Sequence, residues 1–142
     1  MNFEKTRSYY QYWGKARWEE SAWHLLPYHC LDVCASTWHL LEEFDSVAHR
    51  LCQQINFPFE LFKPWTLFFS AIHDIGKFSY TFQNLVPDLT FQLQQKNFGH
   101  ASYNKRHDYL GLLAWKSYLC EEVSELFGIT NELIFNEWIQ AS

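Results

Sequence analysis

Between Tyr28 and Glu43 the apolar residues Leu31, Cys34, Ala35, Trp38 and Leu41 recur at intervals of three and four. That spacing predicts a helix, with Pro27 in its first turn, where a missing N–H costs nothing. A second short helix is expected over Asp45 to Ile55, with Asp45 as its N-cap. Pro58 and Pro64 break the pattern. After them WTLFFSAIHDIGKF is apolar on nearly every side until His73. A buried helix and a buried strand look alike over so short a run. Its length from Pro64 favours the helix, with Gly76 as the stop.

Ser79 is expected to cap a short helix, SYTFQNL, before Pro87. Residues 87–104 are polar and Gln/Asn-rich, which predicts a loop with fragments of helix. A further helix is expected from Lys105 to about Cys120, then two short ones divided by Gly128. Residues 1–26 carry aromatic and charged residues without clean periodicity and read as an extended or irregular lead-in with a short helical turn. Everything points to an all-α fold in one domain, residues 1–142.

Composition adds weight to the core. Thirteen Phe, eight Tyr and seven Trp build it from large, rigid side chains, while five Gly and four Pro favour long helices over a turn-rich sheet protein. Charge excludes one simple idea. A formal net charge of −5 means that no generally basic surface would hold a nucleic acid; bound cations or a partner protein must supply much of the attraction. Cys30, Cys34, Cys52 and Cys120 show no CxxC spacing and read as small buried thiols in a reduced, cytoplasmic compartment. The first twenty residues lack the apolar core of a signal peptide, and the longest apolar stretch, Trp65 to Ile72, is too short to cross a bilayer, so no membrane partner is expected.

The candidate chemistry lies in HDIGK. An imidazole nitrogen and a carboxylate oxygen side by side at a helix end, His73 and Asp74, can both turn toward one divalent ion, and a carboxylate can bridge two. Gly76 would let the backbone turn away after the ligands, and Lys77 would neutralise a phosphate oxygen. The helix begun at Pro27 can bring His29 close to this pair, and His107 opens another helix that could supply a further ligand.

In this context the sequence resembles the HD nuclease domain at the N-terminus of the helicase-nuclease of type I CRISPR systems. The matching pieces are YWGK at Tyr12–Lys15, HLLPYHCLDVCA at His24–Ala35, LFFSAIHDIGKFSYTFQ at Leu67–Gln83 and RHDYLGLLAW at Arg106–Trp115. The resemblance implies an HD-domain helical bundle with His29, His73, Asp74 and His107 as metal ligands, Asp74 bridging, and Asp74 and Lys77 as catalytic residues; Arg106 and Lys77 are the expected phosphate contacts. It implies two divalent transition metal ions (Fe²⁺, Ni²⁺, Co²⁺ or Mn²⁺) and single-stranded DNA displaced by a Cascade-like guide-RNA surveillance complex as substrate. A helicase, elsewhere in the same protein or on a separate chain, would use ATP to feed the strand.

The chain departs from the family pattern downstream. The family's later pair of adjacent histidines and distant aspartate have no counterpart, since no histidine follows His107 and no aspartate follows Asp108. Asp108 and Gly111 replace a Glu and a Ser of the family's segment, and no Walker A loop is present. The expectation is an HD domain represented by its N-terminal portion and incomplete at its C-terminal end. Two other readings stand beside it: a catalytically inactive HD-like module that binds or imitates CRISPR interference proteins, and a small HD phosphohydrolase that completes its site by dimerising. His24 is read as a structural residue at the helix entrance, Trp13 as a lid on the core rather than a stacking platform, and His100 as an outside candidate for a second-metal ligand.

Overall fold

The computed structural model describes residues 5–17, 22–97, 99 and 102–127. A 3₁₀ turn over Lys5–Gln11 leads into an antiparallel hairpin, β1 (Trp13–Arg17) with β2 (Ala22–Leu25). Helices α1 (Leu26–Glu43), α2 (Asp45–Gln54) and α3 (Phe59–Ile72) follow. Another 3₁₀ turn, Ile75–Phe78, then precedes α4 (Tyr80–Gln83), α5 (Pro87–Gln94), α6 (His107–Ala114) and α7 (Cys120–Phe127). The all-α expectation holds for the body of the fold, and the hairpin replaces the irregular lead-in. Its polar and aromatic residues alternate too briefly to announce a strand. No helix among the described residues is long and apolar enough to cross a membrane.

Several boundaries differ from the sequence pattern, each for a local reason. Helix α1 starts one residue before Pro27, which takes an early position where no N–H is missed. Asp45 is not the N-cap of α2: Phe44 holds that position without a side-chain cap, and Asp45 lies in the first turn, 3.6 Å from His49. Pro64 does not open α3 but sits inside it, because Pro58 supplies the extended N-cap and the interior proline forgoes only one backbone bond in the second turn. The helix stops at Ile72, before Gly76. Ser79 does cap α4, its hydroxyl accepting the Phe82 amide at 3.4 Å. The polar stretch after Pro87 is a full helix, α5, begun by that proline and closed by Gln95 in the left-handed conformation. No break occurs at Glu121: α6 and α7 run on through a π-helical turn, Trp115–Leu119. A helix beyond Gly128 lies outside the described residues, as does His100.

The fully buried cluster is small and specific. Trp13, Phe82, Val86 and Leu89 pack together, with Ala16, Leu93 and Tyr103 against them. The Trp13 and Phe82 rings lie 4.7 Å apart, and a pair of this kind contributes about 1 kcal/mol beyond its area. Trp13 thus seals the core, as the sequence suggests. Its core is pinned by polar contacts too: the indole N–H donates to the Gln83 carbonyl and the Thr90 hydroxyl. Helix α3, expected to be buried on all sides, has no fully buried residue; Trp65, Phe68 and Phe69 make a half-buried aromatic group with Trp115.

Gly76 matters for approach rather than for turning. A Cβ there would overlap the His107 carbonyl oxygen and stand 2.5 Å from the Gly111 amide, whereas a Cβ on Gly111 would meet nothing nearer than 3.3 Å. The turn after Asp74 therefore lies backbone to backbone against the start of α6. Gly76→Ala is expected to destabilise the chain by about 3 kcal/mol through overpacking, and Gly111→Ala to cost under about 1 kcal/mol because helix propensity offsets its tighter contact. Urea midpoints of the two variants check this; equal effects would contradict it.

Candidate metal centre

Four segments converge on one carboxylate. Asp74, 5% exposed, follows the C-terminal end of α3, where the helix gives way to the 3₁₀ turn. Its Oδ2 lies 3.0 Å from His29 Nε2 of α1, 3.1 Å from His73 Nε2 and 2.6 Å from Lys77 Nζ. Its Oδ1 faces His107 Nε2 of α6 at 3.3 Å. The structure therefore brings His29, His73, His107 and Lys77 all onto Asp74.

His29, His73 and Asp74 each offer one ligand atom, and these atoms lie within 4.8 Å of one another. Two imidazole nitrogens and a carboxylate oxygen suit a borderline divalent transition ion, so the residues present fit one. His107 stands outside that trio, on the other carboxylate oxygen.

The imidazoles are oriented from behind. His73 Nδ1 lies 2.7 Å from the Ser70 carbonyl, a bond it makes as donor, which leaves the Nε2 lone pair facing Asp74. His107 Nδ1 sits 3.1 Å from the Tyr103 hydroxyl, and that hydroxyl also accepts the His107 backbone N–H at 2.7 Å. Tyr103 so fixes both the ring and the start of α6. The sequence reading passed over it; an aromatic hydroxyl four residues before a candidate ligand was its signal.

Burial is the largest influence on Asp74 and pushes its carboxyl up. The Lys77 hydrogen bond and charge, joined by His73 and His107, outweigh it and hold the carboxyl below its ordinary value. Burial also leads at His29, and with the Lys77 charge it lowers the imidazole below its ordinary value against the pull of Asp74. At neutral pH the centre thus offers a carboxylate and a neutral imidazole, the protonation states a metal requires. Cys30 beside His29 is held as a thiol, burial pushing it up.

Lys77 is itself anchored: its ammonium donates to the Gly14 carbonyl at 3.2 Å as well as to Asp74. Arg106 is not drawn into the cluster. It is exposed, its guanidinium pairing with Asp108 at 3.1 Å. His24 lies 3.6 Å from Asp32 at the entrance of α1, in keeping with a structural part.

Both shifts have signs that predict acid behaviour of the metal-free chain. A base with a lowered folded value binds fewer protons than its unfolded counterpart, so stability should fall as pH drops below about 6.5 toward the folded value of His29. An acid with a lowered folded value stabilises above its ordinary value, here 3.8, and loses that contribution as pH falls through the folded value of Asp74. Urea midpoints followed from neutral pH into acid, in chelator, should show both windows. His29→Gln should flatten the first alone; an unchanged slope would remove His29 as its cause.

The family model for the Cas3 HD domain matches residues 13–141 of this chain. The CRISPR-associated endonuclease/helicase Cas3 of Escherichia coli (strain K12) is 39% identical to it over 75 residues, covering 51% of this chain and 8% of the relative. The chain thus matches only a small part of the length of that curated relative. No solved structure matches it.

Proposed function

The chain belongs to the Cas3 HD-domain family, and from that premise we propose that it is a metal-dependent nuclease unit acting on single-stranded DNA in type I CRISPR interference. The observation that carries this reading is the division of Asp74 between two sides, Oδ2 toward His29 and His73 and Oδ1 toward His107. His29, His73 and Asp74 would hold one divalent ion, Mn²⁺, Fe²⁺, Co²⁺ or Ni²⁺. His107, on the opposite oxygen, would with Asp74 supply ligands for a second. Such ions, when bound, polarise a phosphoryl oxygen and acidify water.

The chain's own residues do the rest. Asp74 stays anionic and His29 neutral, so neither needs to lose a proton before it ligates. The Lys77 ammonium, paired with the Asp74 carboxylate, would offset negative charge that develops on a phosphate oxygen. Arg106, exposed at the start of α6 next to His107, would take an adjoining phosphate by releasing Asp108. With a net charge of −5, attraction for a polyanion rests on these local cations and the bound ions. We propose further that the unit spans residues 1–142 and works in the cytoplasm with a guide-RNA surveillance complex and an ATP-driven helicase; the relative's printed name, endonuclease/helicase, supports only the last of these.

One observation favours a rival. Lys77 Nζ pairs with Asp74 at 2.6 Å, an internal counter-charge that a non-catalytic HD-like module would keep. Incubation of the chain with single-stranded DNA and Mn²⁺, Ni²⁺ or Co²⁺ separates the two. Cleavage is expected, falling by more than about 100-fold in Asp74→Ala, since even groups that only orient a ligand account for about 10- to 100-fold. Absence of both Mn²⁺ binding and cleavage would leave the inactive module. Hydrolysis of nucleotides with DNA untouched would instead indicate a small phosphohydrolase.

A further inference from the structure

Gln83 is a polar side chain with no exposure at all, seventy residues from Trp13, the hairpin residue it touches. Its amide is fully used. Nε2 donates to the Trp13 carbonyl at 2.9 Å and to the Lys77 carbonyl at 2.8 Å. Oε1 accepts from the Trp13 backbone N–H at 3.2 Å and from Gln94 Nε2 at 3.3 Å. Four bonds are the full capacity of one amide, two N–H donors and two lone pairs, so its loss would cost the interior four hydrogen bonds at once.

The two segments it joins are the two that hold the Lys77 ammonium. One is the 3₁₀ turn carrying Lys77. The other is β1, where Trp13 pairs with Leu25 and Lys15 with His24, so that Gly14 is an extra residue in a bulge. The Gly14 carbonyl accepts the Lys77 ammonium instead of serving a regular ladder step. Gly14 is buried, and a Cβ on it would stand 2.9 Å from Leu26 Cα and 3.3 Å from His29 Cβ, so only bare backbone fits against the first turn of α1.

We propose that Gln83 is a positioning residue: through one amide it fixes the Gly14 bulge against the Lys77 turn and so sets where the Lys77 ammonium stands beside Asp74. This makes the N-terminal hairpin a wall of the metal centre. Gln83 touches neither Asp74 nor a ligand imidazole and acts only through Lys77 and Gly14. The inference rests on the nuclease reading for its catalytic consequence, but its geometric content can be read without catalysis.

The test uses the full chain, Gln83→Met, Lys77→Met and the double variant. Amine labelling of Lys77, scored by mass spectrometry against Lys63 and Lys116, should rise several-fold in Gln83→Met while the reference lysines stay level. With Mn²⁺ and single-stranded DNA, kcat should fall about 10- to 100-fold, as for a small misplacement of a catalytic group, with KM and Mn²⁺ affinity little changed. Adding Gln83→Met to Lys77→Met should cost nothing further. Unchanged Lys77 labelling in a cooperatively melting Gln83→Met, or an equal penalty in the Lys77→Met background, would overturn the proposal. If Gln83→Met does not melt cooperatively, the same readouts on Gln83→Asn decide. If the unsubstituted chain cuts no DNA, the nuclease reading fails while the labelling still judges Gln83.

Discussion

A carboxylate removed from water must find its partners within the protein, and Asp74 finds an ammonium as counter-charge and three imidazole nitrogens around it. This requirement organises the structure. It draws α1 in through His29, α6 in through His107 and the 3₁₀ turn in through Lys77, while His73 arrives from the neighbouring position. The helices supply the frame, and the buried Asp74 carboxylate is where their ends meet.

A second tier keeps that convergence from slackening. Ser70 and Tyr103 fix the rings of His73 and His107, and Gln83 fastens the hairpin to the turn that carries Lys77. The contact of Gly76 with the start of α6 then sets how near His107 can come. Orientation of this sort matters because imidazole and carboxylate donors bind a cation well only when their lone pairs converge. The apolar cluster around Trp13 and Phe82 shields the same region, so packing and polar chemistry support each other rather than occupying separate parts of the molecule.

Much of this was legible from residues alone, and the exceptions are instructive. The three-and-four spacing from Leu31 to Leu41 announced α1, and HDIGK after an apolar run announced the turn with the carboxylate. What periodicity could not give was long-range pairing. Gln83 reads as one more polar residue in SYTFQ, and its value arises only when Trp13, seventy residues earlier, is folded against it. Proline misled at position 64 because its cost depends on how many backbone bonds it interrupts, a number set by where the helix really starts. The Gln/Asn-rich run after Pro87 looked like loop, yet Leu89 and Thr90 are buried in α5. Composition says nothing about which face of a polar helix meets the core.

The π turn at Trp115–Leu119 has a consequence for how this chain relates to others of its kind. A π turn holds one residue more than an α-helical turn, and each residue advances an α-helix by about 100°. The side chains of α7 are therefore rotated by that step relative to a straight continuation of α6, which keeps Cys120 and Ser124 inward. A relative that had lost the surplus residue would have an unbroken helix whose far half turned a different stripe toward its neighbours. An alignment of such a relative with this chain would carry a one-position gap at the turn.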